Sequence, residues 1–77
     1  LVDLTTAEFD LLWALVERAG EVIERDDLYQ RVRGIAWDGV DRSIDLRVSR
    51  LRRKLKDESQ ELIKSIRGTG YLLAAAR

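Results

Sequence analysis

The stretch DRSIDLRVSRLRRKLK, residues 41–56, constrains the fold of this chain more than any other part of its sequence. Its apolar side chains recur at intervals of four, three and four residues, which at about 100° per residue places them on one stripe of a helix. Such a helix becomes stable when the stripe packs against other elements, and Asp41 stands where an N-cap belongs. The predicted core residues of this helix are Ile44, Val48, Leu51 and Leu55.

The opposite side of the same helix concentrates positive charge. Segment 47–56 holds six basic residues and no acidic one, although the whole chain balances fourteen Lys and Arg against fourteen Asp and Glu. Neighbouring like charges repel, whereas a solvated face usually mixes both signs at i, i+4 spacing, so the pattern favours an anionic partner. The basic face, as we call it, comprises Arg42, Leu46, Ser49, Arg50 and Arg53, flanked by Arg47, Arg52, Lys54 and Lys56.

Composition narrows the function further. Residues 1–40 carry four basic and nine acidic side chains, a balance of −5, and residues 41–77 carry ten and five, a balance of +5. With no Cys and no His, the chain lacks the commonest catalytic base and any thiolate, so the sequence predicts neither an enzyme nor a metal or cofactor site. No apolar run approaches the roughly 18 residues of a membrane span, and the short chain predicts one small cytoplasmic domain, part of something larger.

A first helix is predicted within LTTAEFDLLWALVERAGE. Thr5 and Glu8 have the spacing of a capping box, and Gly20 supplies a stop signal. Ahead of this helix, LVDL alternates apolar and polar residues and is interpreted as the last strand of a sheet whose other strands lie elsewhere. The apolar stripe assigned to the core in this helix comprises Phe9, Leu12, Trp13 and Val16.

A second helix is predicted within EVIERDDLYQRVRG, where Leu28 and Val32 are four residues apart and Gly34 ends the helix. Asp26 and Asp27 lie in its first turn, where the helix dipole favours negative charge, and this structural role outweighs a catalytic carboxylate pair. The following segment IAWDGV has no periodicity and is predicted to be a loop with one aromatic residue.

After the basic helix, ELIKSIR and YLLAAA flank a short GTG segment, which predicts a β-hairpin. Three helices followed by a hairpin give the predicted fold class: α+β, a winged helix-turn-helix with a C-terminal β-hairpin wing and a remnant of an N-terminal strand platform. Gly68 and Gly70 are expected to shape a wing tip that approaches a nucleic-acid groove closely.

The residue types of the basic face fit double-stranded DNA. Guanidinium groups bind phosphate and guanine, a small hydroxyl lets a helix approach, and an apolar side chain contacts a thymine methyl. Arg50, Ser49 and Leu46 supply these three types. The alternative is a protein-interaction module whose basic helix docks an acidic partner, but that function leaves the wing unexplained. A membrane surface is disfavoured because the apolar stripe is needed for the core.

In the order LTTAEFDLLWAL, RDDLYQRVRG, DRSIDLRVSRLRRKL and IKSIRGTGYLL, the chain resembles the C-terminal DNA-binding domain of the OmpR/PhoB family of response regulators. Within that family, VRGIAWDGVDRSIDLRVSRLRRKL looks most like the RstA and CpxR branch. The resemblance implies a two-component transcriptional regulator in which a phosphorylated receiver domain promotes dimers. Its output domains would then bind tandem repeat sites in DNA and influence RNA polymerase.

The resemblance also implies roles for single residues. Arg50 would be the main base-reading side chain and Leu46 a thymine-methyl contact, and helix geometry adds Arg53 to the base contacts. Arg67 in the wing would enter the adjacent minor groove; its alternative role is a surface ion pair with Glu61 or another strand carboxylate. The residues assigned to phosphate contacts are Arg42, Ser43, Arg47, Ser49, Arg52 and Tyr71.

The chain departs from the family pattern in three places. Only LVDL stands where the family has a full strand platform, so residues 1–77 are interpreted as a winged-helix effector domain truncated at its N-terminus, without the receiver. Arg33 stands where many members carry Trp, which affects the loop expected to face the polymerase. Glu24 stands where many members carry a Ser cap, which predicts a slightly weaker second helix.

Overall fold

The computed structural model describes residues 3–74, and that range contains three helices and three short strands. Their bounds are Thr6–Glu17 (α1), Val22–Glu24 (β1), Arg25–Arg33 (α2), Ser43–Leu55 (α3), Ile63–Ile66 (β2) and Gly70–Leu73 (β3). The predicted α+β winged-helix class is confirmed. The strand predicted at LVDL starts on Leu1 and Val2, which lie outside the described residues, and Asp3 and Leu4 belong to no helix or strand.

The predicted core stripe of α3 is confirmed. Ile44, Val48 and Leu51 have no exposed surface, and Leu55 is partly buried against the same core. Because this stripe is covered by the other elements, the opposite side of α3 is left to solvent. The remaining core residues are Leu11, Ala14, Leu15, Ile23, Leu28, Tyr29, Ile63, Tyr71 and Leu73.

Helix α1 starts where the sequence predicts. The Thr5 hydroxyl accepts a hydrogen bond from the Glu8 N–H at 3.2 Å, and the Glu8 carboxylate accepts one from the Thr5 N–H at 2.9 Å, which confirms the capping box. The helix ends at Glu17, before Gly20, which has a φ of +86° in the turn that follows. The Gly20 N–H donates to the Leu73 carbonyl at 2.8 Å, so this turn is tied to β3.

The face of α1 assigned to the core is wrong. Phe9, Trp13 and Val16 are 53%, 49% and 42% exposed, and their predicted neighbour Leu12 is only partly buried. At about 100° per residue the buried side lies roughly 140° away from the predicted stripe. The helix is apolar on both sides, so periodicity alone does not identify the inner one. The buried residues of α1 are Glu8, Leu11, Ala14 and Leu15.

Helix α2 has the predicted punctuation. Gly34 is its C-cap, with a left-handed φ of +73°, and Asp26 and Asp27 lie in its first turn. Glu24 is the N-cap but its side chain makes no capping hydrogen bond. The segment after α2 is a loop, as predicted, and the Trp37 indole N–H donates to the Asp41 carbonyl at 2.9 Å.

The predicted N-cap of α3 is wrong by one position. Arg42 occupies the cap, with φ −109° and ψ 12°, and makes no side-chain capping bond. Asp41 still serves the helix start, because its Oδ1 accepts the Ser43 N–H at 2.8 Å. This hydrogen bond and those from the Ser43 and Arg33 side chains lower the pKa of Asp41 below its ordinary value.

The predicted hairpin is confirmed and has a third strand beside it. The strands are ordered β1-β3-β2, all antiparallel, and Ile23 of β1 lies opposite Tyr71 of β3. A Cβ added at Gly70 would lie 2.0 Å from the Ile23 carbonyl oxygen, so only glycine lets β1 approach β3 there. Gly70 is therefore required by strand packing, whereas the sequence suggested approach to a groove. Gly68, with φ +75°, supports the turn between β2 and β3.

Candidate nucleic-acid interface

The basic face of α3 is exposed along its length. Leu46 is 57% exposed, and the Arg42 side chain is 77% exposed. Helix α3 has 13 residues, which corresponds to about 20 Å of axis. The structure thus brings five predicted contact residues together on one solvent-facing surface: Arg42, Leu46, Ser49, Arg50 and Arg53.

Most cations along this face have no carboxylate partner. Among the described residues, Arg47, Arg50 and Arg53 take part in no ion pair. Lys54 differs, because its ammonium group donates to the Glu8 carboxylate at 2.7 Å and joins α3 to α1. The hydrogen bond from Lys54, together with the Thr5 N–H, holds the pKa of Glu8 below its ordinary value. The unpaired arginines keep their charge available to a polyanion.

Arg52, assigned to a phosphate contact, instead points at the wing, by which we mean β2, β3 and the turn 67–69. Its Nε and Nη2 donate to the Ile63 carbonyl at 3.0 and 2.6 Å, and Nη2 also donates to the Ser65 hydroxyl at 2.9 Å. The guanidinium also lies 5.9 Å from the centre of the Tyr71 ring. A phosphate contact by Arg52 stays a prediction, and its bond to β2 is a role that the sequence did not indicate.

Tyr71, also assigned to a phosphate, has its hydroxyl turned toward α3. The residue is 4% exposed, and the hydroxyl donates to Asp45 Oδ1. Burial, this hydrogen bond and the charge of Asp45 raise the pKa of Tyr71 to about 12. A phosphate contact by Tyr71 stays a prediction, and it would require exchange of the bond to Asp45.

Ser43, the remaining predicted phosphate ligand, lies partly buried at the start of α3. Arg33 donates from one guanidinium nitrogen to the Ser43 hydroxyl at 2.7 Å and to the Asp41 carboxylate at 2.8 Å. Arg33, which stands where many family members carry Trp, therefore joins the end of α2 to the start of α3.

The wing carries one exposed cation at its turn. Arg67 is exposed and forms no ion pair within residues 3–74, so the alternative pairing with Glu61 is not formed there. The turn is fixed at both sides, because Thr69 donates to the Ile66 carbonyl at 2.9 Å and accepts the Arg25 N–H at 3.1 Å. Arg67 is thus presented on an anchored turn.

Asp57 is a structural residue that the sequence did not reveal. It is 7% exposed, and its two carboxylate oxygens accept the N–H groups of Leu62 and Ile63 at 2.9 and 2.8 Å. Burial raises the pKa of Asp57, but the hydrogen bonds from Ile63 and Leu62 outweigh burial and hold that pKa below its ordinary value. The only available sign was an Asp in a polar turn ahead of a strand.

In the described part of the chain, no group of three or more His, Cys, Asp or Glu side chains is placed to hold a metal ion. No helix between residues 3 and 74 has the length and apolar character needed to cross a membrane.

The fold and this surface define a class of protein. A cationic helix held from behind by two other helices and flanked by a hairpin is the arrangement of winged helix-turn-helix DNA-binding domains. More particularly, the chain belongs to the family "Transcriptional regulatory protein, C terminal", whose model matches residues 1–73.

Individual relatives agree with this membership. Transcriptional regulatory protein RstA of Escherichia coli (strain K12) is 48% identical over 75 residues, which cover 95% of this chain and 31% of that protein. CpxR of the same strain is 42% identical over 77 residues, covering 97% of this chain and 33% of that protein. The resemblance to the OmpR/PhoB family and its RstA and CpxR branch is confirmed, and the chain spans about a third of these relatives.

A solved structure shows the same fold. The crystal structure of the Klebsiella pneumoniae RstA DNA-binding domain in complex with the RstA box matches with a TM-score of 0.90 and 49% sequence identity. The match covers 95% of this chain and 74% of that chain.

Proposed function

We propose that this domain binds double-stranded DNA sequence-specifically, as the output domain of a transcriptional regulator controlled by phosphorylation. The observation that carries the proposal is the basic face, where Arg47, Arg50 and Arg53 have no carboxylate partner within the described residues, on a helix whose other side is core. DNA phosphates supply a regular array of negative charge, and the major groove admits an α-helix. The RstA domain of K. pneumoniae, which shares the fold, was solved with the RstA box.

In the proposed complex, α3 enters the major groove. Arg50 and Arg53 read base edges, and Leu46 contacts a thymine methyl, because all three lie exposed on the side of α3 away from the buried stripe. Arg67 enters the adjacent minor groove from the wing. Phosphates are contacted by Arg42, Arg47 and Ser49, with Ser43, Arg52 and Tyr71 joining them if their internal hydrogen bonds are exchanged.

The family resemblance extends the proposal to the whole protein. A receiver domain would control the output domain by phosphorylation, and dimers would occupy tandem repeat sites and contact RNA polymerase. The relatives are about three times as long as the matched region, which leaves room for such a receiver. A regulator that binds chromosomal DNA in a bacterial cell would act in the cytoplasm, and we propose that location for this protein.

The salt dependence of binding tests the proposal. Each neutralised phosphate contributes a slope of about −0.9, so four to six contacts predict that log K falls against log salt with a slope of about −4 to −5. Fluorescence anisotropy on duplexes selected from a random pool measures this slope. A flat response would contradict DNA binding. Equal affinity for an acidic peptide of matched charge would favour the protein-interaction module instead.

A further inference from the structure

The wing is held along one side of α3 by two side chains of opposite charge. Asp45 and Arg52 are seven residues apart on α3, so they lie on the same side of the helix, separated by about 10 Å along its axis. Asp45 accepts a hydrogen bond from the hydroxyl of Tyr71 in β3, and Arg52 donates one to the carbonyl of Ile63 in β2. Each strand of the hairpin therefore has its own attachment to the helix.

The Asp45 carboxylate has three side-chain partners. Besides Tyr71, its carboxylate pairs with Arg25 at the start of α2 at 3.3 Å and with Arg42 at the cap of α3 at 3.5 Å. The Arg25 guanidinium also lies 5.3 Å from the centre of the Tyr71 ring and 5.9 Å from that of Trp37. One carboxylate thus joins α2, α3 and β3.

The placement of this carboxylate needs an explanation. Asp45 lies on the proposed DNA-binding helix, between Arg42 and Leu46, where a negative charge repels phosphate. A residue chosen only for attraction to DNA would not be acidic. Its side chain is 24% exposed and fully engaged with side chains of the neighbouring elements, which points to a role in geometry.

We propose that Asp45 is a positioning residue that fixes the wing against α3, so that Arg67 and the basic face meet DNA in one fixed arrangement. Arg52 provides the second attachment and sets the other end of the hairpin. The consequence for DNA binding rests on the proposed function of the wing, whereas the attachment itself does not.

Two nearly isosteric variants isolate the attachment. Asp45→Asn keeps the shape of the side chain and one acceptor oxygen but removes the charge that holds Arg25 and Arg42. Tyr71→Phe removes only the hydroxyl and leaves the ring in the core. Glu17→Gln is the matched control, because it removes the same charge from an ion pair with Arg31 that joins α1 to α2.

The first measurement needs no DNA. Backbone 15N relaxation of the amides of residues 67–69 reports how firmly the wing tip is held. Asp45→Asn and Tyr71→Phe are expected to lower the order parameters of these amides, with the α3 core amides unchanged, and Glu17→Gln is expected to leave them as in the wild type. Unchanged wing-tip order in both Asp45→Asn and Tyr71→Phe overturns the proposal.

The second measurement asks whether the attachment acts on DNA binding. Arg67→Ala is expected to weaken binding about fivefold in the wild-type background and less than about twofold in Asp45→Asn, because a loosened wing already misplaces Arg67. The quantity compared is the loss of affinity caused by Arg67→Ala in each background. Absolute affinity is not compared, because removing the negative charge of Asp45 alone strengthens binding to phosphate. Equal losses in both backgrounds overturn the positioning role. No loss in the wild type overturns the wing's part in the proposed function, and the relaxation data still decide the role of Asp45.

Discussion

The arginines of α2 and those of α3 use the same charge in different ways. Every arginine of α2 is paired with a carboxylate: Arg25 with Asp45, Arg31 with Glu17, and Arg33 with Asp41. On α3, within the described residues, Arg47, Arg50 and Arg53 have no such partner. The two helices teach that the number of cations says little about binding, and that the placement of the anions decides which cations remain available.

The difference between the paired arginines of α2 and the unpaired arginines of α3 affects the electrostatic potential around each helix. A charge paired at the surface contributes little to stability, and its field is largely cancelled at a distance. Unpaired charges on neighbouring turns add their fields, so the potential over α3 is strongly positive while that over α2 is nearly neutral. A diffusing polyanion is therefore steered to α3.

The largest expected effect comes from truncating the buried side of α3, which holds the unpaired arginines in place. Leu51→Ala deletes a fully buried side chain of α3 and should lower the free energy of unfolding by about 2–5 kcal/mol, measured by chemical denaturation. Leu46→Ala is the control, because it makes the same change on the exposed face of the same helix and should cost less than about 0.5 kcal/mol. Similar costs for the two would mean that the faces of α3 are assigned wrongly.

The next effect compares one arginine from each helix. Arg50→Ala should weaken binding to the preferred duplex by about 1–3 kcal/mol and relax base preference at one position, because the proposed bidentate contact to a base edge would be lost. Arg31→Ala removes an equal charge from α2 and should leave base preference unchanged. Binding measured on a panel of single-base substitutions separates them, and identical profiles would refute the contrast between the helices.

A third effect concerns acid. Asp57→Ala should lower the free energy of unfolding by about 0.5–2 kcal/mol at neutral pH, because two N–H groups at the start of β2 lose their acceptor. The folded pKa lies below the ordinary value of 3.8, so the unfolded chain takes up the proton first and the stabilisation disappears as pH falls. The difference in melting temperature should therefore shrink below about pH 4.

Glu58→Ala is the control for this third prediction, because the residue is adjacent and exposed. It should change the melting temperature little at any pH. A gap between Asp57→Ala and wild type that stays constant into acid would show that the carboxylate charge is not what stabilises the hairpin.

The smallest expected effect tests the paired arginines themselves. Arg31→Ala should change the free energy of unfolding by less than about 0.5 kcal/mol, because both members of its pair with Glu17 are about half exposed. Thermal melts at low and high salt measure it. A cost above about 1 kcal/mol would mean that the ion pairs of α2 hold the fold together, and the contrast with α3 would need another basis.

Helix α3 could be predicted from the sequence because four of its five apolar residues form one stripe and all its charged residues except Asp45 are basic. Its core side, its exposed side and the hairpin after it are all confirmed. Helix α1 was harder, since Leu11 and Leu15 compete with Phe9 and Trp13 for the core, and periodicity gives no preference between two apolar sides.

The polar connections could not be predicted for a different reason. Asp45 and Tyr71 are 26 residues apart, and Arg52 and Ile63 are 11 apart, so no local spacing indicates that they meet. The family resemblance assigned Arg52 and Tyr71 to phosphate contacts, and it did not indicate that their side chains form these internal hydrogen bonds. Pairing between distant residues depends on how the elements pack, and only the structure supplies that.

The junction between β1 and α2 connects the sheet rigidly to the second helix. Glu24 ends the strand and Arg25 begins the helix, with no residue between them to act as a joint. At Gly70 the hairpin leaves no clearance for even a methyl group against β1. A displacement of the wing would therefore be shared by α2, because β3 pairs with β1 and β1 continues directly into that helix.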